Sequence, residues 1–446
     1  MMEKEGFMQR SFRLISLLLS LILCASPLCG CAILFPDAYT TTTGGSLPSA
    51  PDGKPASNYD LVLRYDDRVN LTGKFLRIAD IDTKDTSFLR TYPEDDGTLT
   101  VRATGVGSGK LYLKRNNEEI CLRVLVEPAP LNVFLLLGEE AAHGTAEPSP
   151  YAPRSADGLI YYISSGSLPL SSLPNSYHTS VREFVPKRLT NNRQSLADTE
   201  LPVFTNELTT SGAGRYAGLA APLAYQTVEA TGERVLMLNL AQPHASVTQY
   251  APNEADPDKH PSLLRNALAL WEETATVLAS ELEADHYTVS RFGFFFCQGE
   301  SDASMSEDAY YEAFLAMKQM LDARVTLSED GRTRHLDFGG LILPRNTETA
   351  PTRPESGPRA AQRRIAAEDS GSLANVYLLS DAVDAWDTDG EVAAYFARYD
   401  FRNFYLYYGY EPPKTVAELF TGGSYTAAAC NELGYGAIKT LLSLDR

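Results

Sequence analysis

Between residues 58 and 128 apolar side chains recur at every second position. Leu99, Val101 and Ala103 alternate with polar neighbours, as do Leu111 with Leu113, then Ile120, Leu122, Val124 and Val126. Successive side chains of a strand point to opposite faces, so this period lays one face on a core. Turn signals at 105–109 (GVGSG) and 116–117 (NN) cut the run into short strands. The pattern predicts a small antiparallel sandwich over 58–128. Cys121, set among these positions, is expected to be a small buried residue.

After the stiff junction EPAP at 127–130 the period changes. Apolar runs at 131–137, 234–240, 289–296, 338–343 and 375–379 alternate with helical stretches. The clearest helix begins at Pro261, a residue suited to the first turn. Leu264, Ala267, Leu268, Trp271, Ala275, Leu278, Ala279 and Leu282 then share one face. Further helices are expected at about 212–230, 305–325, 357–369 and 431–443. Strand and helix in alternation predict an α/β domain over 129–446, a parallel sheet with helices on both faces. Sites in such folds lie beyond the carboxyl ends of the strands. The turns after Leu137, Leu240, Phe296, Leu343 and Leu379 therefore hold the candidate chemistry.

Composition narrows the range of partners. The chain has 446 residues, with 57 Asp and Glu against 39 Lys and Arg, a formal net charge of -18. Such a surface repels nucleic acid and anionic headgroups, so neither is expected as a partner, whereas neutral glycans are not excluded. Beyond the leader remain Cys31, Cys121, Cys297 and Cys430, too few for a disulfide scaffold and with no CxxC pair for zinc. No cofactor is expected.

The N-terminus has the form of a secretory signal, with Lys4, Arg10 and Arg13 ahead of the apolar stretch Leu14 to Leu28. The run is too short and too interrupted for a spanning helix. Leu28-Cys29-Gly30-Cys31 resembles the lipobox of bacterial lipoproteins. That resemblance implies cleavage before Cys31, lipid modification of its thiol and a tether to the outer face of the cell membrane. Residues 32–57, rich in Thr, Ser, Gly and Pro, read as a flexible spacer. The stretch at 95–126 resembles the second half of a bacterial Ig-like domain, a kind of module that serves as a stalk or in adhesion.

CQGESDAS at 297–304 crowds Gln298, Gly299, Glu300, Ser301 and Asp302 into one turn after an aromatic strand. This string resembles the QGES signature of the sialate O-acetylesterase-like carbohydrate esterases, within the SGNH hydrolase superfamily. GPRAAQRRIA at 357–366 resembles that family's arginine–glutamine helix, here Arg359 and Gln362. CNELGYGAIKTLL at 430–442 resembles its last helix, and NVFLLLGEEAAHG at 132–144 falls where its nucleophile strand and turn belong. The resemblance covers most of 129–446, with additional loops near 145–211 and 384–424. It implies a three-layer, doubly wound, flavodoxin-like sheet. It also implies removal of acetyl esters from sugars by a serine that a histidine activates and an acid orients.

The chain departs from that pattern where the chemistry is done. Gly138 matches the turn glycine, but Glu139 stands in place of the family's Gln, Glu140 in place of its nucleophilic Ser, and Ala141 in place of Asn. Pro243 and His244 replace a Gly-Gly turn, while Ser246 and Tyr250 match the rest of that block. Thr426 stands at the Asp position and Ala429 at the His position. The chain's histidines are His143, His178, His244, His260, His286 and His335, so the last loop cannot deliver one.

Three functions follow as expectations. The first is a non-catalytic domain that binds a glycan or a surface protein through the former cleft, lined by Gly138, His244, Ser246, Gln298, Gly299, Glu300, Ser301 and Asp302. The second is an active esterase with relocated groups, using Ser246 or Ser301 with His244. The third is a structural envelope protein. Glu140 reads first as a turn or N-cap residue. Glu140, His143, His244, Glu300 and Asp302 have metal-compatible side chains, but no close pair of the H-E-x-x-H kind supports a metal site. The aromatic segment 395–413 fits either a buried excursion or a platform for sugars.

Overall fold

A computed structural model describes residues 40–41, 59–72, 80–82, 85–93, 98–115, 118–143, 160–164, 208–209, 215–216, 218–253, 255–256, 260–329, 331–345, 355–398, 411–421 and 424–444. Cys31, the spacer beyond Thr41 and the tyrosines of 404–410 lie outside these residues. The chain divides into two compact units, Met1–Ala129 and Pro130–Arg446. Among the described residues no helix is long and apolar enough to cross a membrane.

The first unit consists of two four-stranded sheets. One joins β1 (Thr40–Thr41), β3 (Arg68–Thr72), β6 (Thr98–Ala103) and β5 (Leu89–Pro93). The other joins β2 (Leu61–Arg64), β8 (Glu118–Glu127), β7 (Gly107–Arg115) and β4 (Asp80–Asp82). Leu99, Val101, Ala103, Leu111, Leu113, Leu122, Val124 and Val126 are buried in one shared core, as their alternation requires. Two details differ from the sequence reading. The pairing of β2 with β8 is parallel, because these strands come from opposite ends of the unit and no hairpin joins them. Cys121 is exposed. It follows Ile120 and precedes Leu122, so the same period that buries those positions turns its thiol outward.

The second unit is an α/β layer structure. Its sheet runs in the order β10 (Ile160–Ser164), β11 (Arg234–Asn239), β9 (Ala129–Gly138), β12 (Tyr287–Cys297), β13 (Phe338–Ile342) and β14 (Val376–Ser380). The pairings β10 with β11, β11 with β9, β12 with β13, and β13 with β14 are parallel. Strand β10 falls within 145–211, which the family resemblance leaves as an additional loop; Ile160–Ser164 is short and has no alternation to set it apart.

Residues 131–137 are apolar apart from Asn132 because both faces of β9 are covered; the buried Asn132 amide donates to the Arg234 carbonyl at 3.2 Å. Phe134 and Leu136 join a core with Leu223 of α2 (Ala220–Thr231) and Leu433 of the C-terminal helix Ala427–Leu444. Leu135 and Leu137 face a small apolar void of about 10 Å³ on the other side. It is lined by Leu264, Leu268 and Trp271 of α3 (Ser262–Glu283) and by Met317 and Leu321 of α4 (Glu307–Arg324). Trp271 stacks on Phe292 at 5.2 Å between ring centroids. Pro261 caps α3 rather than opening it. Ser306 starts α4 by accepting from the Ala309 N–H, with Glu307 and Asp308 in the first turn. Gly232, at φ 67°, ends α2 in the left-handed conformation. The C-terminal helix starts at Ala427, four residues before the expected position.

From β9 the chain passes to the strands on one side, β10 and β11, and then crosses to β12 on the other. The carboxyl end of β9 is therefore the topological switch point, where such a sheet opens a crevice. Residues 138–143 lie at this point.

Candidate functional site

Gly138 ends β9 at φ 135°, and a Cβ there would lie 2.0 Å from the Cys297 carbonyl oxygen. Only glycine lets β9 and β12 close to this distance. The Gly138 N–H donates to the Tyr250 hydroxyl at 3.2 Å, and that hydroxyl donates back to the Gly138 carbonyl at 2.7 Å. Tyr250 is fully buried, so the turn is locked from beneath.

Glu139 is 1% exposed and serves the neighbouring turn. Its Oε1 accepts from the backbone N–H groups of Gly299, Glu300 and Ser301 at 2.7, 2.6 and 3.1 Å. The Ser301 hydroxyl donates to Oε2. Successive N–H groups converging on one anion form a nest. Burial opposes the charge of Glu139, but hydrogen bonds from Glu300, Ser301 and Gly299 outweigh it and hold the carboxyl below its usual range. Glu300 is held well above the ordinary carboxylate range, first by burial and then by the charge of Glu139. Its Oε1 accepts from the Tyr425 hydroxyl. Burial and the charge of Glu139 also raise Glu140.

The turn after β12 is held from every side. Gln298 is fully buried: its amide donates to the Ala245 carbonyl at 2.9 Å and to Asp302 at 2.7 Å, and its Oε1 accepts from the Tyr310 hydroxyl at 2.7 Å. Asp302 also accepts from the Val247 N–H at 2.7 Å. Gln362, on α5 (Gly357–Ala367), donates to the Gln298 carbonyl at 2.6 Å and to Tyr310 at 2.9 Å. Gly299 stands at φ 146°, where a Cβ would meet Pro344 at 2.8 Å. Arg359 donates to the Pro344 carbonyl at 3.2 Å and pairs with Asp384. Gln298, Gly299 and Asp302 thus form the frame of the crevice, while Ser301 and His244 are exposed and Ser246 and Glu300 are half-buried.

Glu140 opens a short helix, α1 (Glu140–His143). Its side chain reaches across to the loop after β11. Its Oε1 accepts from the His244 backbone N–H at 3.1 Å and contacts His244 Nδ1. His244 adopts φ 56°, left-handed backbone that is uncommon outside glycine. Ser246 accepts from the Thr248 N–H at 3.3 Å and contacts the Thr248 hydroxyl at 2.9 Å, capping the turn Val247–Gln249. Neither Ser246 nor Ser301 has a histidine as hydrogen-bond partner among the described residues.

At the other family positions, the Thr426 hydroxyl donates to the Glu418 carbonyl at 2.8 Å and its N–H to the Leu419 carbonyl at 2.8 Å. Ala429 is fully buried in the core. Neither supplies an acid or a base. His143 is buried, and among the described residues neither ring nitrogen has a hydrogen-bond partner. Burial lowers its imidazole to about 4, so it is neutral at physiological pH. Glu140 and His244 therefore meet, Glu300 and Asp302 hold separate partners, and His143 stands apart. Among the described residues no group of three or more His, Cys, Asp or Glu side chains is placed to hold a metal ion. Cys297 and Cys430 are buried, and burial pushes the Cys430 thiol up to about 12. Sequence reasoning missed the roles of Glu139, Tyr310 and Tyr425; only the position of Tyr425 beside Thr426 gave a hint.

No protein-family profile matches the chain. No curated protein is detectably similar to it in sequence. Among solved structures it is similar to a carbohydrate acetylesterase from Xanthomonas citri, at 16% identity, with 73% of this chain and 67% of that chain covered and a TM-score of 0.33. It is also similar to a protein from Arabidopsis thaliana, at 11% identity, with 71% and 99% covered and a TM-score of 0.37. Neither likeness assigns an activity to this chain.

Proposed function

We propose that the α/β unit has a carbohydrate esterase-like crevice that binds a glycan or a surface partner and does not use a serine to cleave esters. One observation carries this reading: the carboxylate of Glu140, at the position of the expected nucleophile, is engaged with His244. Thr426 and Ala429 add no acid or base, and Gln298 and Asp302 are committed to holding the turn. In this reading the frame of an acyl-transfer site is kept while the hydroxyl that would attack is absent. The same proposal has Cys31 lipidated, the spacer lifting the chain from the outer face of the membrane, and the β unit, read as Ig-like, acting as a stalk.

The test is labelling of the purified protein with a fluorophosphonate, together with binding to an array of native and O-acetylated glycans. The reading expects no labelled serine and retained glycan binding that weakens in His244→Ala. A labelled Ser246 or Ser301 would overturn it in favour of a relocated serine esterase. Palmitate incorporation that is lost in Cys31→Ser tests the anchor.

A further inference from the structure

We propose that Glu140 and His244 form a general-base pair that directs water onto an acyl ester without any serine. This goes beyond the binding reading and rests only on its crevice. Glu140 Oε1 holds His244 by two contacts, one from the backbone N–H at 3.1 Å and one from Nδ1. The first fixes the loop in its left-handed conformation and the second fixes the ring. With Nδ1–H directed at a carboxylate, the lone pair of the neutral imidazole lies on Nε2. The His244 side chain is 85% exposed, whereas Glu140 is 17% exposed, so the ring faces solvent and its anchor does not. A carboxylate behind Nδ1 and an open Nε2 are the two features by which a histidine takes a proton from a nucleophile. The pair sits at the switch point of the sheet, on the turn where the sequence resemblance places a nucleophile.

In the step, the oxygen of water bonds to the acyl carbon as Nε2 takes its proton and the carbonyl electron pair moves to oxygen. When that pair returns, the bond from the acyl carbon to the alcohol oxygen breaks. The departing oxygen takes the proton back from Nε2, leaving a carboxylic acid, an alcohol and neutral imidazole. The nearby N–H groups that would steady the oxyanion are already committed. Those of Gly299, Glu300 and Ser301 bind Glu139, and that of His244 binds Glu140. The pair therefore supplies general-base assistance alone, typically about 10²–10⁴-fold. It lacks the additional ~10²–10³-fold that an oxyanion donor contributes. The activity it gives is slow and belongs to reactive acyl esters first.

The test follows hydrolysis of p-nitrophenyl acetate by the full chain, with and without fluorophosphonate treatment. His335, another exposed imidazole, provides the control. His244→Gln is expected to lower the rate at least tenfold and Glu140→Gln severalfold, while His335→Gln and fluorophosphonate leave it unchanged. His244→Gly, which accommodates the backbone angle without strain, should match His244→Gln and keep the melting temperature, separating chemistry from folding. Equal rates for the parent chain and His244→Gln overturn the proposal. So does an equal loss in His335→Gln, which would show surface imidazole only, or abolition by fluorophosphonate, which would show a serine route. Glycan binding that persists while these rates fail leaves the binding reading standing alone.

Discussion

The carboxylate of Glu139 accepts from the backbone N–H and the hydroxyl of Ser301, and so ties the turn after β9 to the turn after β12. Two further N–H groups, of Gly299 and Glu300, meet the same oxygen. Glu139→Ala leaves four donors, three N–H groups and the Ser301 hydroxyl, without this partner. Each unsatisfied group costs roughly 1–3 kcal/mol. The loss should exceed 3 kcal/mol in urea unfolding, while Glu139→Gln, which keeps an acceptor oxygen, should lose less than half as much.

Gly138→Ala is expected to be as damaging by a different route. The new Cβ would lie 2.0 Å from the Cys297 carbonyl at a φ that side chains avoid. Strands β9 and β12 must then separate at their carboxyl ends. A fall in melting temperature, with the fluorescence of Trp271, on α3 against Phe292 of β12, little changed below the transition, is the expected signature.

Glu432 gives the unit a pH dependence. It is 4% exposed and accepts from the Tyr395 hydroxyl at 2.8 Å, and burial raises its carboxyl to about 8. The folded state therefore keeps a proton that the unfolded chain releases near 4.5. Stability from this group is fully present below that value and is lost as pH rises through about 8. The loss is on the order of 5 kcal/mol if the unit unfolds in one step. Glu432→Gln keeps the acceptor for Tyr395 and cannot ionise. Its advantage over the parent chain should grow from pH 5 to pH 8 and then level off, measured by urea unfolding at each pH.

His143 acts in the opposite direction. Its folded pKa, lowered by burial to about 4, lies under the ordinary 6.5. Its contribution is present above pH 6.5 and is lost as pH falls toward 4, because the unfolded chain takes up the proton first. His143→Leu, which brings no polar atom into the site, should flatten that acid limb and change little at pH 7. Melting temperatures of both proteins between pH 4 and 7 test this.

Much of the architecture was legible in the sequence. Alternation at 99–103 and 111–126 marks one buried face of each strand, and Cys121 was misread only by ignoring the parity of its own strand. The run 131–137, apolar apart from Asn132, marks a strand covered on both sides, and the turn after it falls at the topological switch point of the sheet. Strand β10 was missed because five residues between two long loop-like stretches carry too little periodicity to stand out.

The sequence by itself determined that a carboxylate, not a hydroxyl, stands at residue 140, and that no histidine follows His335 to serve it. These are facts of identity and order, and folding cannot alter them. What only the tertiary structure decided is the use of each carboxylate. Glu139 and Glu140 are adjacent in the chain, yet one turns inward to a nest of N–H groups and the other outward to His244. Nothing local distinguishes them. The partners lie 160 and 104 positions away, and the difference arises because closure of the sheet brings β12 to one side of β9 and the loop after β11 to the other.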